Sequence, residues 1–223
     1  WNKKDNSGNR KNEDHYLEFK AQEQALIVNR YEKNMDCIDL GCGAGELLKF
    51  LISKIKIKEA LDFSEKMIEL AKKEIEDKKI NFIQTDPFLY LPKCTIPIWL
   101  TTGALNQYLD QKRMDALLEI FTNNHDAKSF YLFDCIDPIR FQTLSLGTSY
   151  LPKPQNKKIK LVFKKITSMI KMISYSIKTH GNKKTIQFKN RNFGYGYLTS
   201  YWQQKALEKK LDIEIISSFN FEY

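Results

Sequence analysis

Apolar positions come in two rhythms that alternate along the chain. Short continuous apolar runs read as strands buried on both faces, and runs with apolar residues three and four apart read as amphipathic helices. A first helix is predicted from Asp14 to about Tyr31, followed by a buried strand at Cys37–Leu40 and a helix over 46–55. "EALDF" gives a second strand, Ser64 caps a helix carrying Met67, Ile68 and Ala71, and "INFIQT" gives a third strand. "IPIWLTT" is strand four, a helix follows over 110–121, and "SFYLFDC" is strand five. This order predicts an α/β fold, doubly wound around a mainly parallel sheet with helices on both faces. Its ligand site is expected at the carboxyl ends of the strands.

Past strand five the rhythm changes. "KIKLVFKKITSMIKMI" has helical spacing, "ISYSIKTHGNKKTIQF" reads as a hairpin turning near Gly181 and Asn182, and "RNFGYGYLTSYW" reads as a hinge and pocket wall. "SYWQQKALEKKL" is helical and "DIEIISSFNFEY" strand-like. The expected organisation is a solvated tail over 1–13, a core over 14–137, an inserted α+β lid over 138–198, and a helix and strand over 199–223 that complete the core. Little chain is left for a seventh strand.

One turn interrupts the first rhythm. "CIDLGCGAGELLKFL" sets Gly41, Gly43 and Gly45 at G-x-G-x-G spacing directly after the first strand. A P-loop needs GxxxxGK[ST] and a dinucleotide fingerprint needs G-x-G-x-x-G; neither is present. The spacing, with Asp39 two residues ahead, resembles the first motif of class I S-adenosylmethionine-dependent methyltransferases of the small-molecule type, a Rossmann-like fold. The resemblance extends over about residues 35–136 and 199–218, because Asp62 and Asp86 end the second and third strands where that family carries acids.

The resemblance implies S-adenosylmethionine as cofactor, with S-adenosylhomocysteine as product; the scattered cysteines argue against a zinc site, and no metal is expected. Gly41, Cys42 and Gly43 would line the methionyl part of the ligand and Asp39 would help hold its ammonium group. Asp62 would accept from the ribose hydroxyls, with Phe63 and Met67 beside the adenine. Asp86 would accept from the adenine amino group, with Pro87 walling the ring. Thr101, just after strand four, would touch the cofactor, as would Gln107. Tyr16 belongs to a first helix that closes over the cofactor in this family, and Lys20 would pair with its carboxylate. The (Asn/Asp)-Pro-Pro-(Tyr/Phe) turn of amino-methylating enzymes is absent from "LTTGALNQYLD". Asn106, Gln107 and Tyr108 are therefore candidates for the floor of the active site. Asp134 and Asp137, at the end of strand five, are candidates for a base, and Tyr108 is a further catalytic candidate. Lys183, Arg191, Tyr195 and Tyr197 are candidates for substrate contact in the lid.

Charge divides the chain. Between Pro138 and Leu207 there are fourteen Lys and Arg and no Asp or Glu, while the rest holds 22 basic and 27 acidic residues for a net charge of −5. The total of +9 therefore originates in the insertion. A one-sign cap attracts anions, which predicts a small or medium-sized acceptor bearing phosphate, phosphoramidate, carboxylate or an acidic sugar, a surface-polysaccharide precursor among them. The alternative is a nucleic-acid methyltransferase, acting on RNA, whose cap grips phosphates. A third reading is a cofactor-binding protein whose basic amphipathic helix lies on a membrane. The sequence leaves the oligomeric state open. The four cysteines lack CxxC spacing and read as small buried residues of a reducing compartment. No window approaches the roughly 18 apolar residues of a membrane span, so a cytoplasmic protein is expected.

Overall fold

The computed structural model describes residues 7–75, 79–103, 105–135, 170, 187–190 and 194–216. Five strands, β1 (Asp36–Leu40), β2 (Lys56–Asp62), β3 (Asn81–Gln84), β4 (Ile98–Thr101) and β5 (Ser129–Leu132), form a sheet ordered β3-β2-β1-β4-β5. Every pairing in it is parallel. The order reverses between β1 and β4, and the crevice outside the carboxyl ends of those two strands is where ligands bind in open sheets of this kind.

The central strands β1 and β4 are buried along nearly their whole length because both faces are covered. On one face Cys37, Ile57, Ala60, Ile98 and Leu100 join Ala21, Ala25 and Val28 of α1 (Ser7–Tyr31), Leu48 and Leu51 of α2 (Leu48–Leu51), and Ile68 of α3 (Glu65–Glu74) in one buried cluster. On the other face Trp99 meets Phe121 of α6 (Gln111–Asn123) and Phe130 of β5 edge-on, at centroid distances of 5.4 and 6.0 Å. Two short helices stand between these elements, α4 (Pro87–Tyr90) and α5 (Leu105–Tyr108). Helix α1 runs antiparallel to β5. Ser129 Oγ donates to Glu32 at 2.7 Å at the amino end of the strand, and Lys20 pairs with Asp134 beyond its carboxyl end.

The chain divides into two compact units, one of Trp1–Asn106 with Lys112–Asp134, the other of Gln107–Gln111 with Cys135–Tyr223. In the second, β6 (Gln187–Asn190) pairs antiparallel with β7 (Gly194–Tyr197), and α7 (Thr199–Lys209) follows. Tyr197 packs its ring against Tyr201 and Trp202 at 4.8 and 5.4 Å and donates its hydroxyl to the Leu109 carbonyl at 2.7 Å. Among the described residues no helix is long and apolar enough to cross a membrane.

Several expectations are corrected. Helix α1 begins at Ser7 rather than Asp14, so part of the expected tail is helical. Ser64 sits at the N-cap of α3, but its side chain makes no capping bond. The 187–190 arm turns forward to pair with 194–197, so the stretch read as a hinge is a strand. Residues 211–216 form no strand, and α7 groups with the second unit rather than with the core. Cys37, Cys42 and Cys94 are buried, but Cys135 is exposed. The predicted helix over 159–173, apart from helical residue 170, and the turn at Gly181 lie outside the described residues, as do Asp137, Lys183 and Arg191.

Candidate cofactor site at the carboxyl edge of the sheet

The chain leaves β1 through three left-handed glycines: Gly41 at φ +77°, Gly43 at +57° and Gly45 at +80°. Side chains are strained there, and glycine is not. The Gly41 and Cys42 amides both donate to the Leu61 carbonyl at 2.8 Å, which ties the turn to β2. The three glycines then differ in what surrounds them. A Cβ on Gly41 would stand 3.0 Å from Leu105 Cβ, and one on Gly45 would meet Ile75 and Ala71 at 3.1 to 3.3 Å. A Cβ on Gly43 would have no atom of the described residues within 4 Å. The first and third glycines are required by packing, and the middle one leaves open space at the crevice.

Asp62 closes the other side of that space. It is buried at the end of β2, where Oδ2 accepts from the Gly43 amide at 3.0 Å and Oδ1 from the Ser64 amide at 2.9 Å. The carboxylate therefore fixes the middle of the turn and the entry to α3 together. Next to it Phe63 is 74% exposed and Met67 is partly exposed, which leaves an apolar surface at the mouth of the crevice. Asp86, past the end of β3, caps α4 by accepting from the Phe88 amide at 2.9 Å, with Pro87 buried at the first helical position. Pro is favoured there because its missing N–H has no helical partner to lose.

Two expected ligand residues face inward instead. Asp39 is wholly buried, and its two oxygens accept from the Thr102 amide at 3.0 Å and the Thr102 hydroxyl at 2.7 Å. Burial pushes its pKa up to about 6; the Thr102 hydrogen bonds oppose the rise, and the charge of Asp62 adds to it. Asp39 thus ties the end of β1 to the end of β4. Thr101 is also wholly buried, and its hydroxyl accepts from the Phe133 amide at 3.2 Å, so it joins β4 to β5 rather than facing the crevice.

Sequence reasoning missed Thr102 and Gly103. A Cβ on Gly103 would lie 2.6 Å from the Gly41 carbonyl oxygen, so the turns after β1 and β4 touch backbone to backbone. The signal was present: a hydroxyl and a glycine directly after a buried apolar strand at the point where the sheet order reverses.

The remaining candidates separate. Lys20 and Asp134, assigned different roles, form an ion pair with each other. Asn106 is buried at the start of α5, while Tyr16 is partly exposed on α1. Gln107 and Tyr108 belong to the second unit, where Tyr108 is 71% exposed. Tyr195 is half-buried in β7. Tyr197 was expected to contact substrate, but it is 3% exposed and packs in the core of its unit.

Ribosomal RNA small subunit methyltransferase A of Mesomycoplasma hyopneumoniae (strain 232) is 27% identical over 71 residues, 32% of this chain and 27% of that protein. The chain thus spans about a quarter of the length of this curated relative. Among solved structures, the methyltransferase domain of bacterial CtHen1-C superposes with a TM-score of 0.51 at 15% identity, over 86% of this chain and 82% of that one, a likeness of fold. S-adenosylmethionine-bound CalS10, an amino pentose methyltransferase of Micromonospora echinaspora, gives 0.48 at 14% identity, over 62% and 60%. A family model described as a methyltransferase domain matches residues 31–212, most of the chain. With its parallel sheet, glycine turn and acid-tipped strands, the chain belongs to the methyltransferase-domain family, the class I S-adenosylmethionine-dependent methyltransferases.

Proposed function

We propose that the protein transfers a methyl group from S-adenosylmethionine to a small or medium-sized anionic acceptor. The single observation that carries the cofactor half is the open space over Gly43, walled by a fixed carboxylate, Asp62. Left-handed glycines let backbone approach a ligand closely, and a buried acid with room beside it suits vicinal hydroxyls. The residues present therefore fit this cofactor: Gly43 and Asp62 for its methionyl and ribose parts, Phe63 and Met67 for its base. Bound there, S-adenosylmethionine supplies an electrophilic methyl that needs no further activation. What remains for the protein is to align the acceptor, exclude water and remove a proton where the acceptor carries one. An acceptor oxygen that is already anionic needs no strong base, in keeping with a described site that pairs its one strand-five carboxylate, Asp134, with Lys20.

The acceptor class rests on charge. Fourteen cations without one acid between Pro138 and Leu207 raise the local concentration of anions and supply charge-assisted hydrogen bonds to them. Phosphorylated or acidic sugars, such as precursors of surface polysaccharides, are the metabolites to try first. The test is release of S-adenosylhomocysteine over a panel of phosphorylated, acidic and neutral acceptors, with RNA as a further arm. Turnover confined to anionic metabolites is the expected result. A preference for neutral acceptors that survives charge reversal at Lys183, Lys184 and Arg191 sinks the acceptor class. Turnover of RNA alone, with binding that falls steeply as salt rises, replaces it with a nucleic acid.

A further inference from the structure

We propose that Lys20 exchanges partners on cofactor binding: it holds Asp134 in the free protein and turns to the carboxylate of the cofactor's methionyl end in the complex, releasing Asp134 toward the acceptor. The inference rests on the reading of the glycine turn as the cofactor site.

Three observations lead to it. The first is place. Because α1 runs antiparallel to β5, its Glu32 end lies at the amino edge of the sheet and its Lys20 end at the carboxyl edge, the edge that carries the glycine turn and Asp62. The second is backbone. Asp134 has φ +56°, a left-handed conformation that a residue with a side chain keeps only where its surroundings hold it. Its pairing with Lys20 is one such hold. The third is access. The two side chains keep 18% and 33% of their surface exposed, so a second partner can reach the ammonium. A lysine ammonium is a compact charge with three donors and no fixed geometry, suited to changing partners. A second carboxylate competes with the first for it and repels it.

This pairing makes predictions of opposite sign for its two members. Calorimetric titration of the full chain with S-adenosylhomocysteine should show binding weakened about tenfold or more in Lys20→Met and largely kept in Lys20→Arg. Asp134→Asn should bind about threefold to tenfold more tightly, because the competing partner is gone. In the Lys20→Met background, Asp134→Asn should change affinity less than twofold. 5′-Methylthioadenosine, which lacks the amino-acid end, should bind all four proteins alike. Circular dichroism melts establish that each variant is folded. A merely structural ion pair weakens both single variants or neither, and either result overturns the exchange. So does a methylthioadenosine affinity that follows the same pattern. Failure of the unaltered protein to bind S-adenosylhomocysteine overturns the cofactor site itself, which separates the two failures.

Discussion

At the scale of single residues, two buried aspartates divide the work at the sheet edge. Asp62 receives two backbone amides and closes the space above Gly43. Replacing it with alanine removes a charged acceptor from the turn and from any ligand hydroxyl, at about 1.5–3 kcal/mol per charged hydrogen bond. Asp62→Ala should therefore lose about tenfold to a hundredfold in S-adenosylhomocysteine affinity by calorimetry, and unchanged affinity would remove it from the site. Asp39 acts on stability instead. Its pKa rises from 3.8 to about 6 on folding, chiefly through burial. Between those values the folded protein holds more protons than the unfolded chain, so this group's contribution to stability falls as pH rises through the window, by at most about 1.4 kcal/mol per pH unit. Urea unfolding at pH 5 and pH 7 should show the protein gaining about 1 kcal/mol on acidification relative to Asp39→Asn. Parallel behaviour of the two would refute the assignment. The sequence marks Asp39 as important through its distance from the glycines. Its partner Thr102 is 63 residues away, and no local pattern announces such a contact.

At the scale of elements, the site is two turns pressed together. The loops after β1 and β4 meet where Gly103 faces the Gly41 carbonyl, with no room for a methyl group. Gly103→Ala should destabilise the fold by about 1–3 kcal/mol, as overpacking does, and weaken cofactor binding with it. Gly43→Ala meets open space and only the strain of a left-handed backbone, of order 1 kcal/mol, so it should keep most stability and lose binding. Thermal shift and calorimetry on the pair check this, and equal stability losses would argue against it. The strands were legible because each has a short apolar centre; the structure moves their ends by at most three residues. Less legible was the hairpin. Antiparallel pairing of β6 with β7 depends on which arm finds a partner, and the glycine-rich "GYGY" reads equally as loop. Tyr197 looks like a ligand-facing aromatic in sequence, yet its hydroxyl is satisfied by Leu109 and its ring by Tyr201 and Trp202.

At the scale of the molecule, charge and contact divide the chain at nearly the same place. The acid-free run starts at Pro138, and the second unit takes up the chain from Cys135. If that run gathers anionic acceptors, their KM should rise with ionic strength as screening shortens the reach of the field, to about 8 Å at 0.15 M. If the glycine turn and Asp62 hold S-adenosylhomocysteine, a zwitterion without net charge, its affinity should change far less. Equal salt dependence of both would separate the cap from acceptor binding. The boundary itself was only partly legible. Gln107–Gln111 and α7 join the second unit although the linear reading grouped both with the core, because their partners are distant in sequence. By itself the sequence determined the alternating parallel architecture, the three-glycine turn and the acids at the ends of β2 and β3, since each depends on residues adjacent in the chain. Only the tertiary structure decided that Asp39 is held by Thr102, that Thr101 is buried, that Gly103 touches Gly41, and that Lys20 meets Asp134. These pairings join residues between 32 and 114 positions apart. The order and direction of strands and helices set them, and hydrophobic periodicity specifies which face an element buries without specifying its neighbour.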